Sequence, residues 1–296
     1  MGVSIHILNY TSVRSDIPRG ISVSYRYCIM DIQAYVDSLN LELDVTTRVD
    51  CPACGGANTF TVTRAIGAVK WNCYKNSCKI RGVNSNVDLS ASEMMNMLYK
   101  SDMEYKPFEI PDDWIVPTQG SKTLAYLKQN HCLSAYQDKR VDVRYDVGQH
   151  RHVFLNWQGG VCVGAVGRKE NSYMQGPKWY FYNKETLAPL VVPQYGSVGF
   201  PDYPTGKRGV IVEDAASACA VSVIQDGIAL LGTHMVPDYI KLLSSYDQLT
   251  VALDPDAQSK AMDIARHLGY YTDVRVVMIS DDIKYMEPEQ ILEEVA

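Results

Sequence analysis

Val210-Ile211-Val212-Glu213-Asp214 and Val251-Ala252-Leu253-Asp254-Pro255-Asp256 decide the reading of this chain. Each is a short apolar run that ends on carboxylates and opens into a stretch of helical spacing. Working outward from them, strands are expected at 210–213, 228–231, 249–253 and 274–279, with helices at 214–225, 237–245, 257–268 and 287–294. Strand and helix alternating in this way make an α/β fold, a mostly parallel sheet with helices on both faces. Carboxylates at the C-terminal ends of neighbouring parallel strands converge at one sheet edge, where such folds put their active sites. Glu213, Asp254 and Asp256 gathered there repel one another unless a divalent cation sits between them. Oxygen ligands in small number suit Mg²⁺, which keeps several waters and takes substrate phosphates as further ligands. The expectation is a metal-dependent site for phosphoryl transfer.

At 296 residues, 46% of them hydrophobic, the chain is long enough for two or three domains with real cores. No stretch approaches the roughly 20 apolar residues of a membrane span. Met1 to Ile29 alternates polar and apolar residues without the apolar block of an export signal, so a cytoplasmic location is expected. The net charge of −6 conceals an asymmetry. Residues 206–296 carry 7 basic and 15 acidic side chains (−8), which leaves +2 for residues 1–205. Between Arg48 and Gly82, six basic residues face one acid, Asp50. This split suits a metal-binding acidic end and a nucleic-acid-facing basic end; a solvated acidic face accounts for the counts equally well.

The cysteines fall into two groups. Cys51, Cys54, Cys73 and Cys78 stand in C-x2-C-x18-C-x4-C spacing, whereas Cys28, Cys132, Cys162 and Cys219 lie singly among apolar neighbours, as small buried hydrophobes do. Two cysteine pairs on tight turns can set four thiolates in a tetrahedron about Zn²⁺. Four sulfur ligands fill that shell, so the zinc is expected to be structural; unrelated buried thiols are the alternative. Around the cluster, Phe60, Trp71 and Tyr74 interleave with Arg64, Lys70, Lys75 and Lys79. Aromatic faces stack on unpaired bases while basic groups take phosphates, a pattern that fits single-stranded nucleic acid. Phe60 is better read as the small core of the module. For Trp71 and Tyr74, core and base-stacking roles stay open.

Along the rest of the chain, Ile5–Leu8 and Ile21–Val23 suggest short strands, and Ile32–Leu39 has helical spacing. Ser90 and Glu93 stand at capping-box spacing before a helix over residues 90–100. Lys106 to Gln119, with Pro107, Pro111 and Pro117, suggests an extended linker. A helix at Thr123–Gln129 precedes a strand-rich block over 141–200, broken at Gly159-Gly160 and Gly176-Pro177. Within that block, Gly164-Ala165-Val166-Gly167-Arg168 and Gly176-Pro177-Lys178-Trp179-Tyr180 supply two positive charges upstream of the acidic sheet. Such charges can hold triphosphates or a nucleic-acid backbone without reading bases.

Taken together these motifs resemble a family. Cys51-Pro52-Ala53-Cys54-Gly55-Gly56 with Phe60 is similar to the N-terminal zinc ribbon of bacterial-type and phage DNA primases. Gly167-Arg168 and Pro177-Lys178-Trp179 resemble the basic motifs of their RNA-polymerase domain. Val212-Glu213 and Asp254-Pro255-Asp256 are similar to the signature motifs of the Toprim fold, with Leu231-Gly232-Thr233 on the intervening strand. The resemblance spans about residues 31–290 in the family's order. Two positions depart from it: Gln258-Ser259-Lys260 stands where a glycine usually follows the acidic pair, and the third acidic motif is degenerate, Asp281-Asp282-Ile283-Lys284. No G-x-x-x-x-G-K-[ST] motif is present, which points to a stand-alone phage-type enzyme without a fused helicase.

The resemblance implies an N-terminal extension (1–30), a zinc-ribbon template-binding domain (31–90), a linker (91–120), the N-terminal part of an RNA-polymerase domain (121–205) and a Toprim domain (206–296). It implies a primase that makes short RNA primers on single-stranded DNA from ribonucleoside triphosphates, with a separate replicative helicase as a partner and, if phage-encoded, the host cytoplasm as its location. Glu213, Asp254 and Asp256, with Asp282 as a further candidate, would hold Mg²⁺ or Mn²⁺, and Arg168 and Lys178 would grip nucleotide phosphates or the template–primer hybrid. The zinc module would meet DNA through Arg64, Lys70, Trp71, Tyr74 and Lys75. The alternatives are a non-catalytic zinc–Toprim recombination mediator, in which the finger lies almost directly before the sheet, and a Toprim nuclease, which has no need of the zinc module.

Overall fold

Three sheets form where apolar runs are punctuated by glycine turns, and the computed structural model describes residues 31–99, 106–183, 188–194, 207–232 and 235–295. Residues 1–30, with their two expected strands and the expected extension, lie outside the described residues. Among the described residues no helix is long and apolar enough to cross a membrane.

The first sheet is antiparallel, with β1 (Thr46–Val49), β2 (Phe60–Ala65), β3 (Gly67–Cys73) and β4 (Arg81–Val87) in chain order. Gly67 closes the β2–β3 turn at φ +72°, a conformation that a Cβ disfavours. Phe60, Val62 and Val69 point inward against Val36 of α1 (Ile32–Asp37), whose N-terminus is capped by the Asp31 carboxylate accepting from the Gln33 and Ala34 amides. The capping box forms as expected at α2 (Ala91–Tyr99): the Ser90 amide donates to Glu93 Oε2 at 2.8 Å, and the Glu93 amide donates to Ser90 Oγ at 3.3 Å.

The proline-rich stretch after it is extended but is no free tether. Phe108, Ile110 and the buried Trp114 pack on Val153, Leu155 and Cys162, and Ile115 bridges to Tyr145. Helices α3 (Lys122–Gln129) and α4 (Leu133–Gln137) then lead into an antiparallel meander of β5 (Asp142–Asp146), β6 (Arg151–Gln158), β7 (Val161–Lys169) and β8 (Trp179–Phe181). Gly159 and Gly160, at φ +55° and +82°, make the β6–β7 hairpin turn.

The third sheet follows the order β13-β12-β10-β11-β9, built from β9 (Leu190–Val192), β10 (Arg208–Val212), β11 (Asp226–Ala229), β12 (Gln248–Val251) and β13 (Asp273–Val276). Its inner pairings are parallel, and β9 closes one edge antiparallel to β11. The pleat divides the strand residues between two cores. Val210, Val212 and Ala229 face α5 (Ala215–Val221) and α8 (Pro288–Val295); Ile211, Ile228 and Val251 face α6 (Tyr239–Leu243) and α7 (Gln258–Leu268). Each buried aliphatic side chain stabilises the fold by about 1.5–3 kcal/mol relative to exposure. Small residues let α5 lie close on β11: a Cβ added to Gly227 would come within 2.0 Å of the Ala218 carbonyl oxygen.

One expected position shifts. The intervening strand ends at Ala229, so Leu231 and Gly232 lie beyond it, and Thr233 is outside the described residues. Leu231 turns to φ +60°, yet Gly232 still donates its amide to the Glu213 carbonyl at 3.0 Å. The backbone there stays tied to the acidic edge after regular pairing has ended.

Candidate active site and zinc site

Strand order decides which side chains meet. Because β10 lies between β11 and β12, Glu213 at the end of β10 and Asp254 beyond β12 emerge at the same sheet edge. Asp256 follows on the single 3₁₀ turn Pro255–Ala257 that leads into α7. Glu213 and Asp254 are half-buried, and Asp256 is exposed. Burial, followed by the neighbouring Asp214 and Asp256 charges, raises the Glu213 pKa, while the Lys178 and Lys260 ammonium groups oppose the rise. Burial and the Asp282 and Glu213 charges push Asp254 from the ordinary 3.8 up to about 6. The carboxylates therefore feel one another, and two lysines from different parts of the chain reach the same field.

The third acidic motif is engaged differently. Asp214 caps α5, its Oδ1 accepting from the Ser217 amide at 3.0 Å. Its Oδ2 accepts from Lys284 Nζ at 3.2 Å, and the same ammonium is bonded to Asp282 Oδ2. Ser217 Oγ donates to Asp282 Oδ1 at 3.2 Å. Lys284 is 1% exposed. Burial disfavours its charge, but the two carboxylates hold its pKa above the ordinary lysine value. Lysine 284 was visible in the sequence only as part of a degenerate motif; nothing local marks it as the partner of Asp214.

The acids do not gather as tightly as the sulfurs. Among the described residues, Cys51, Cys54, Cys73 and Cys78 are the set of three or more potential ligands whose donor atoms all lie within 4.8 Å of one another. Glu213, Asp254 and Asp256 share one edge without bringing three carboxylate oxygens within that distance of one another.

The sulfur cluster passes a stricter test. Zinc–sulfur bonds of about 2.3 Å in a tetrahedron require S···S edges of about 3.8 Å. Cys51 and Cys78 Sγ are 3.9 Å apart, as are Cys54 and Cys73 Sγ. Thr59 Oγ1 lies 3.5 Å from Cys73 Sγ, and that contact leads the causes that lower the Cys73 pKa to about 6, favouring the thiolate. The residues fit a structural zinc ion.

The other predicted side chains divide. Phe60 is fully buried in the module's core. Trp71 is partly buried, its indole against Gly82, where an added Cβ would lie 2.4 Å from the ring. Tyr74 is 63% exposed with the Arg48 guanidinium 5.7 Å from its ring centroid, and Lys70 and Lys75 are exposed. Arg64 is turned inward. Its Nη1 and Nη2 donate to the Glu93 carboxylate at 2.5 and 3.1 Å, tying the first sheet to α2. Its charge is used within the fold, which the sequence could not show because its partner lies in a separate element.

Arg168 on β7 lies with its guanidinium 5.3 Å from the Trp179 ring centroid on β8, and its buried Nη1 has no hydrogen-bond partner among the described residues. A buried donor left so is costly unless an acceptor arrives. The buried Arg151, which sequence reading passed over, donates from Nη1 to the Gly167 carbonyl and from Nη2 to the Pro177 carbonyl, both at 3.1 Å. It joins the strand carrying Arg168 to the loop carrying Lys178.

No family model matches the sequence, and no curated protein matches it. Among solved structures, the crystal structure of the zinc-binding and RNA polymerase domains of the Aquifex aeolicus primase is 15% identical, with 88% of this chain and 79% of that chain covered, at a TM-score of 0.35. A likeness at that score does not establish a shared fold.

Proposed function

We propose that this protein is a DNA primase of the zinc-ribbon and Toprim type, making short RNA primers on single-stranded DNA. The observation that carries the reading is the acidic edge with Lys178 in its field: Glu213, Asp254 and Asp256 lie at one sheet edge, where Glu213 feels Asp256 and Asp254 feels Glu213, while a lysine from the meander acts on Glu213. Divalent ions held by these carboxylates would supply a lowered pKa at the primer 3′-hydroxyl and neutralise the triphosphate. Arg168, with its unsatisfied donor, and Lys178 bind phosphates of the nucleotide or of the hybrid. Arg151 orients both. The zinc module presents Lys70, Tyr74 and Lys75 to the template, with Trp71 partly buried against Gly82. Ribonucleoside triphosphates and single-stranded DNA are its partners, and a separate helicase would deliver the template.

The test is ribonucleotide incorporation on mixed-sequence single-stranded DNA with Mg²⁺ and no added primer. Labelled oligoribonucleotides from the wild type and none from Glu213→Gln support the reading. Cleavage of the DNA points instead to a nuclease, and binding without synthesis points to a mediator of recombination.

A further inference from the structure

Lys284 sits where its charge is least expected. Its Nζ is buried and held between two carboxylates, Asp214 and Asp282, that follow β10 and β13 of the third sheet. Asp214 is itself buried at the N-terminus of α5, and Ser217 of that helix takes the other Asp282 oxygen. Each carboxylate oxygen of the triad thus has a hydrogen-bond partner. Asp214 gives one oxygen to the α5 backbone and one to Lys284, and Asp282 gives one to Lys284 and one to Ser217. Lys284 balances one of the two negative charges, and a divalent ion that took both carboxylates would have to displace the buried ammonium between them. Displacing the ammonium would leave a buried unpaired charge, the costliest outcome for such a group.

We infer that Lys284 is a resident cation of the acidic edge, holding Asp214 and Asp282 in the place a divalent ion would otherwise take and confining metal binding to Glu213, Asp254 and Asp256. This rests on the reading of that edge as a metal site. Lys284 is a positioning residue: it touches neither nucleotide nor metal, and acts by fixing Asp282, whose charge Asp254 feels. It also accounts for the form of the third motif, where a lysine follows the acids directly after Ile283.

The experiment counts Mn²⁺ bound per chain by electron paramagnetic resonance on the zinc-loaded protein. Mn²⁺ stands low in the affinity order of divalent metals and will not displace zinc from four thiolates. Wild type, Asp254→Asn, Asp282→Asn and Lys284→Ala are compared. Asp282→Asn should bind as many Mn²⁺ ions as the wild type, with dissociation constants within about fivefold, the scale of a single screened charge. Asp254→Asn should lose binding. Lys284→Ala should gain one ion, because Asp214 and Asp282 are then free to hold it, and adding Asp282→Asn to that variant should remove the gain. Loss of an ion in Asp282→Asn, or a folded Lys284→Ala with the wild-type count, overturns the inference. If Lys284→Ala fails to fold, the Asp282→Asn count decides alone. Should the wild type bind no Mn²⁺, the metal-site reading fails first, and the inference falls with it.

Discussion

Asp254→Asn separates a carboxylate waiting for a cation from one that merely decorates a loop. In the metal-free protein, burial and the Asp282 and Glu213 charges raise Asp254 from the ordinary 3.8 to about 6. An acid with a raised folded pKa is content below 3.8, where it is protonated in both states; its stabilising balance is lost as pH rises through 6. Above that pH the charged form weighs against folding by about 3 kcal/mol if the whole interval counts at 1.36 kcal/mol per pH unit. Asp254 is only half-buried, and solvent screening reduces this to about 1 kcal/mol. The asparagine variant, neutral at every pH, should therefore be more stable than wild type by about 1 kcal/mol at pH 8. That gain should vanish near pH 4. Urea unfolding of zinc-loaded protein without other divalent ions measures it. Adding Mg²⁺ should then stabilise the wild type and leave the variant unmoved. A variant less stable than wild type at pH 8 without Mg²⁺ would refute the reasoning, because Asp254 would then make a favourable contact of its own.

Three further outcomes are expected. Elemental analysis should find one Zn²⁺ per chain, and Cys51→Ser or Cys73→Ser should release it; because zinc binding in such modules is folding free energy of order 10 kcal/mol, residues 31–90 should then be cut by protease. Arg168→Ala and Lys178→Ala should each flatten the salt dependence of nucleic-acid affinity by about one phosphate contact; unchanged slopes would make both ordinary surface residues. Gly227→Ala, whose Cβ would meet the Ala218 carbonyl, should cost about 3 kcal/mol in calorimetry with the zinc content intact.

What the sequence disclosed is what its local patterns encode. Buried strands betray themselves as unbroken apolar runs, so the alternation after Gly209 could be marked to within a few residues of the observed elements. Cysteine spacing and the Ser90–Glu93 box are short-range chemistry and equally legible. Strand order is not local. That β10 lies between β11 and β12, and that Leu190–Val192 leaves the strand-rich block to close the edge of the acidic sheet, follows from packing of whole elements. Everything missed at the site has that origin. Arg64 reads as a phosphate ligand until α2 brings Glu93 to it, and Arg151 as one more strand residue until the loop before β8 supplies Pro177.

Lys284 is the sharpest case. Beside Asp281 and Asp282 it looks like a surface lysine balancing a charged turn, and its neighbours in sequence say nothing else. Only when α5 packs against the single turn Ile283–Tyr285 does Asp214 arrive to bury it. A lone ammonium in that place would be expelled to water or neutralised. Two carboxylates make it tenable, with Ser217 Oγ donating to the second of them, and the lysine in the third acidic motif leaves one net negative charge where the pair alone would leave two. The degenerate motif and the buried lysine are one feature, seen first without its partner and then with it.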